Sequence, residues 1–183
     1  MIINTPLASI QEVIQKLHPG TEPNIDFTID NGVNGPQITD WQIHAIMPTD
    51  DVINLELAKI AQKNKELEIR DIGNATLIYA VTPYMDAEQK TWPIQVEEAT
   101  KYRQGFTSPS DIPFLTNLAA GRQVTVPDLV AMVEGNNGLF RMYAGQILGG
   151  QQYLLGLIYS VDLTNPAVAL ATLEQIVWEV PSA

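Results

Sequence analysis

Two histidines, His18 and His44, and three acidic groupings, Glu97-Glu98, Asp50-Asp51 and the Asp26/Asp30 pair, are the side chains of this chain suited to acid–base or metal chemistry. Their spacing argues against both. Adjacent acids on a helix diverge by about 100° and cannot meet on one substrate atom. Solvated faces or the positive end of a helix dipole account for them. Neither histidine has a second histidine or a carboxylate at ligand spacing, which leaves capping or surface roles. Residues 26–32 depart from a calcium loop because the glycine falls one position late and no bidentate Glu follows. With no Cys there is no thiol nucleophile, thiolate zinc site or disulfide framework. No Gly-x-Ser-x-Gly elbow, phosphate loop or dinucleotide fingerprint occurs, and Gly149-Gly150 follows a helical pattern, where a phosphate cradle needs a strand. The expectation is a protein without catalytic residues, cofactor or metal. Trp92, Tyr102, Arg103 and Phe106 form a candidate partner-contact patch on a helix. The same residues also read as core aromatics beside one solvated Arg.

The elements that would position these residues follow from the hydrophobic pattern. Ser9 and Glu12 make a capping box ahead of Ile10, Val13, Ile14 and Leu17, and His18-Pro19-Gly20 ends that helix. Two alternating runs, Ile25 to Ile29 and Gln37 to Ile43, flank a turn-rich stretch from Asp30 to Pro36. They predict a β-hairpin with a loop longer than the tightest type, Phe27 and Ile29 on one face and Trp41 and Ile43 on its partner. Thr49 caps a helix expected over 49–70, in which Ile53, Leu57, Ile60, Asn64 and Leu67 fall at heptad spacing. Those five residues are a candidate oligomer interface, with Asn64 bonding to its copies across the axis. An amphipathic helix packing on its own domain has the same pattern, because only two heptads are present. Residues 75–81 suit either a continuation of this helix or a short strand.

Beyond Thr82-Pro83 the pattern is helical and poor in charge. Helices are expected from Trp92, from Pro113 to a stop at Gly121, from Thr125, across 139–161, and from Asn165-Pro166 with Val168, Leu170, Leu173, Ile176 and Val177 facing a core. Gly145, Gly149, Gly150 and Gly156 read as notches for close helix–helix approach, each costing about 1 kcal/mol of helix propensity against Ala.

The 183 residues carry 10 Lys and Arg against 21 Asp and Glu, a net charge of −11 that disfavours nucleic acid or an anionic membrane as partner. No apolar run reaches the roughly 18 residues of a membrane span. At 45% apolar and 17% charged, the chain has the composition of a globular, soluble protein. From Gly121 onward only Arg122 and Arg141 stand against five acids, so these apolar helices need partners within the domain or on another chain.

Two blocks of the chain resemble a known family. The first runs from the helix ending in His18-Pro19, through the Asp/Gly turn, to Ile38-Thr39-Asp40-Trp41 and Met47-Pro48-Thr49-Asp50-Asp51. It is similar to the opening module of small proteins encoded in the tail and tail-fibre gene clusters of tailed bacteriophages. The second runs from Trp92-Pro93-Ile94-Gln95 and Glu98-Ala99 through Pro113-Phe114-Leu115 and Leu118-Ala119 to Gly149 and Gln152. It resembles a helical domain of unknown function in phage tail-fibre proteins and their neighbours. The resemblance implies a non-enzymatic structural or adaptor protein at the tail fibre or baseplate, held in the virion tail by contacts with other tail proteins. The alternative it implies is a tail-fibre assembly chaperone acting in the host cytoplasm. A homo-oligomer is expected, and the threefold symmetry usual in phage fibres implies a trimer.

For the fold, the expectation is α+β with helices dominating. It divides into a helix and β-hairpin module (1–48), an amphipathic connecting helix and linker (49–90), and a helical domain (91–183).

Overall fold

The structure, a computed structural model, describes residues 1–3, 5–33 and 35–179. It is α+β and mostly helical. In chain order the elements are α1 (Ile10–Leu17), β1 (Phe27–Gly32), β2 (Gly35–Trp41), α2 (Asp50–Val81), α3 (Asp86–Gln89), α4 (Trp92–Arg103), α5 (Pro113–Arg122), α6 (Val126–Tyr159) and α7 (Pro166–Gln175). No helix among the described residues is long and apolar enough to cross a membrane.

α1 begins as its sequence dictates. The Ser9 hydroxyl accepts from the Glu12 amide, and the Glu12 carboxylate accepts from the Ser9 amide at 2.7 Å. The helix ends at His18, whose ring meets Trp41 edge-on at 5.3 Å, and Gly20 takes the left-handed turn that follows, with φ +87°. β1 and β2 pair antiparallel, Phe27 opposite Trp41 and Ile29 opposite Ile38. The register shifts between Thr28 and Ile29, where Thr39 is the extra residue of a bulge, so Ile38 stands opposite Ile29, and Ile43 lies beyond the end of β2. Pairing continues to Gly32 and Gly35, so the connection is the tight two-residue kind and not the longer loop expected. Asn34, within that loop, lies outside the described residues.

α2 runs 32 residues, straight through Gly73, which settles residues 75–81 as helix. Its buried residues include a row spaced by four, Ile53, Leu57, Ala61, Lys65 and Ile69, with Asn54 and Ala58 buried beside it. The expected seam shares only Ile53 and Leu57 with this row. Ile60 is half-buried, Asn64 lies at the margin and Leu67 is 45% exposed. Each step of four residues advances about 40° around a helix of 3.6 residues per turn, so this row winds about 160° from Ile53 to Ile69, while a heptad drifts by only about 20° per repeat. Ile53 and Leu57 are 0% and 1% exposed within their own chain, so they have no free surface for a second copy. Asn64 donates its Nδ2 to the Leu7 carbonyl at 2.8 Å, which replaces the bond across an axis expected of it.

The chain divides into two units. The first holds Met1–Ile72 and residues 150–179, and the second is Gly73–Gly149. The expected divisions at 48/49 and 90/91 are therefore not those of the structure. In the first unit Ile10, Val13, Ile14, Phe27, Ile53 and Leu57 share one core with Leu155, Ile158, Leu170 and Leu173, so the end of α6 and all of α7 complete the N-terminal module. Residues 180–183, at the end of the expected third domain, lie outside the described residues. In α7 the buried residues are Ala169, Leu170 and Leu173, while Val168 and Val177 are exposed, contrary to the stripe expected. The second unit packs around Ala99, Leu115, Ala119, Leu129, Val130 and Val133. α5 leaves its last turn through Gln123 in the left-handed region, φ +57°, where the sequence suggested Gly121. α6 is one helix of 34 residues, not one helix from Thr125 and another across 139–161.

Ion pairs trim the solvent side of α2. Glu56 accepts from Lys16 at 2.7 Å and Lys59 at 2.6 Å, joining α1 to α2 and lowering the Glu56 pKa. Glu66 is bonded by Lys63, Arg70 and the Tyr159 hydroxyl, in that order of influence, and its pKa falls from 4.5 to about 2.

Two outcomes follow. A carboxyl with a depressed folded pKa stabilises only while ionised, so the Glu66 contribution is complete above 4.5 and lost as pH falls toward 2. Calorimetry across that window should show the melting temperature falling, and Glu66→Gln should flatten the fall. Asn64→Leu should destabilise by about 1 kcal/mol, because the Leu7 carbonyl loses its donor. A urea midpoint measures it, and a rise in that midpoint would restore the seam between copies.

Candidate binding cavity

The second unit contains a cavity of about 290 Å³ walled by Tyr84, Trp92, Phe140 and Tyr143. Its position follows from how the surrounding turns are tied. Gln89 donates to the carbonyls of Val81 and Tyr84, at 3.1 and 2.9 Å, and so closes the turn between α2 and α3. The Thr91 hydroxyl donates to the Glu88 carbonyl at 2.7 Å and accepts from the buried Gln95 amide at 2.9 Å. Trp92 and Pro93 then open α4, where proline's missing N–H costs nothing. Trp92 meets Tyr84 edge-on at 5.2 Å and Phe140 at 5.9 Å, both favourable ring geometries.

Glu98, 6% exposed, fixes α5 against α4. Its carboxylate accepts from the Leu115 amide at 2.8 Å and the Phe114 amide at 3.2 Å, the first free donors of α5. Arg103 grips Glu134 of α6 with two nitrogens at 2.9 and 2.7 Å, which lowers the Glu134 pKa and raises that of Arg103. Arg122, at the end of α5, donates to Glu88 at 3.0 Å on the cavity's edge. Leu129 and Val133, 0% and 8% exposed, form an aliphatic floor, and Asn136 and Asn137 line the wall from α6.

Of the expected contact patch, only Trp92 lines the cavity. Tyr102 packs against the unit's core, Arg103 is committed to Glu134, and Phe106 is exposed beyond α4. The sequence reading missed Tyr84, Phe140, Tyr143 and the two asparagines. The signal was the spacing Val133, Asn136, Asn137, Phe140, Tyr143, which marks one helix face with two weak helix formers at its centre. Among the described residues no group of three His, Asp or Glu side chains is placed to hold a metal ion.

The glycines expected to be helix–helix notches are unfilled. A Cβ at Gly145, Gly149, Gly150 or Gly156 would meet nothing within 4 Å. On the same helix Leu139, Met142 and Leu148 are 64%, 58% and 44% exposed.

No known protein family, curated protein or solved structure matches this chain.

Glu98→Ala should cost about 1–3 kcal/mol by leaving two buried amides without an acceptor. Amide hydrogen exchange should then speed up selectively at Phe114 and Leu115. Unchanged exchange there would show that α5 does not need this cap.

Proposed function

We propose that this protein is a non-enzymatic component of a bacteriophage tail, an adaptor at the fibre or baseplate that works through protein–protein contacts. The observation that carries the reading is the uncovered face of α6. Residues 142–159 carry no charge, and on one side of the helix Leu139 and Met142 stand exposed among Gly135, Gly138, Gly145 and Gly149, where an added Cβ would meet nothing within 4 Å. Exposed apolar surface of this kind marks contact with another protein. Small residues beside it allow close backbone approach.

Two further observations support the assignment. The motif order from Ile38-Thr39-Asp40-Trp41 to Gly149 and Gln152 resembles that of phage tail-cluster proteins. Beside the cavity, Glu98 serves as a cap and Glu134 and Arg103 as a clasp. Contacts with tail proteins, copies of this chain included, are assigned to α6, because Ile53 and Leu57 of the expected α2 seam are committed to the core.

Quantitative mass spectrometry of purified virions tests the role. Stoichiometric recovery with fibre or baseplate proteins is the expected result. Depletion from particles together with co-purification of fibre chains from infected cells would assign the assembly-chaperone role instead.

A further inference from the structure

We propose that the aromatic cavity of the second unit binds a short extended peptide segment of a partner protein, rich in proline and neutral or basic at its flanks. The inference rests on the contact role proposed above and names the chemistry of one contact.

The cavity offers hydrogen-bond donors in excess. The Trp92 Nε1–H can only donate, as can the Arg122 nitrogens not engaged by Glu88. Among the described residues, the Trp92 indole and the side-chain amides of Asn136 and Asn137 make no hydrogen bond. A ligand suited to Trp92 and Arg122 brings acceptors, which the asparagine amides also bond through their NH2 groups. Proline brings a carbonyl and no N–H, and in a polyproline II segment that carbonyl has no internal partner.

The floor narrows the choice further. Leu129 and Val133 are aliphatic and closed to solvent, so the hydroxyls of a sugar ring would meet a surface that cannot bond them. A pyrrolidine ring has no such groups and packs on aromatic walls, as in other aromatic-lined grooves that take proline-rich segments. A volume of about 290 Å³ suits roughly two or three residues of an extended chain. Charge selects the flanks only weakly: residues 73–149 carry seven Asp and Glu against five Lys and Arg, a net charge of −2 that prefers a basic segment to an acidic one.

The test is a titration of the full-length, 15N-labelled protein with a lysine-flanked oligoproline peptide, and with the same peptide carrying alanine for proline. Saturable shifts at the Trp92 indole and at the Asn136 and Asn137 side-chain amides are expected for the proline peptide. The alanine peptide should bind at least about fivefold more weakly. Trp92→Phe keeps an aromatic ring and loses the N–H, and Asn137→Ala removes one amide. Each should weaken binding about three- to tenfold while the Leu115 amide resonance stays in place as the check on folding.

Equal binding of the alanine peptide, no shifts at these groups at millimolar peptide, or shifts caused only by a neutral oligosaccharide would overturn the proposal. These outcomes are separate from the virion measurement. Stoichiometric presence in particles without peptide binding removes this inference alone. Peptide binding by a protein missing from particles removes the structural-tail reading alone.

Discussion

Segments that cover the buried row of α2 bring main-chain groups with them, and three amide side chains of that helix supply the partners. Asn54 accepts from the Ile3 amide at 2.8 Å and donates to the Met1 carbonyl at 3.0 Å. Gln62 donates to the Ile158 carbonyl at 2.8 Å, in the last turn of α6, and Asn64 donates to that of Leu7. Each amide does what a neighbouring strand or a further helical turn would otherwise do. A buried main-chain group left without a partner costs more than a typical hydrogen bond returns. The apolar core of the first unit therefore closes only where these three side chains reach, and that sets which segments can cover α2.

The same constraint reappears in the second unit with a carboxyl group in the amide's place. Glu98 is buried because the start of α5 presents two amides to it, and its two carboxyl oxygens accept from both. With α5 held to α4 by this cap and α6 held to α4 by Arg103 and Glu134, the aromatic rings of Tyr84, Trp92 and Phe140 come together as the wall of a cavity. Asn136 and Asn137 are left over from this construction, while Gln95, Glu88 and Arg122 take part in it. The cap, clasp and turn bonds use Glu98, Arg103, Glu134 and Gln89, and none uses Asn136 or Asn137.

Local chemistry made some of this legible from the residues. The capping box at Ser9 and Glu12, the stop at His18, the hairpin and the start at Asn165-Pro166 all depend on neighbours within four residues or on strict alternation. The hairpin's register was less legible, because a bulge at Thr39 changes which residues face each other without changing the alternation around it. Trp92 was readable as a contact residue, but its companions in the cavity were not. Tyr84 and Phe140 lie 8 and 48 positions away in the sequence, and only the fold of the unit brings them to it.

The sequence by itself determined that α2 is helical and amphipathic, since apolar residues recur at helical spacing from Ile53 to Ile69. It could not determine which side is buried. Heptad spacing through Asn64 keeps to one side of the helix, whereas a four-residue row through Ala61 and Lys65 winds about 160° around it by Ile69, and the helix's own hydrogen bonds allow either. Tertiary structure decided for the row, because residues 150–179 return to pack against α1, the hairpin and α2, and the Leu7 carbonyl takes the Asn64 amide. Only contacts between residues so distant in sequence select a helix face, because each possible face satisfies the helix's own hydrogen bonds equally well.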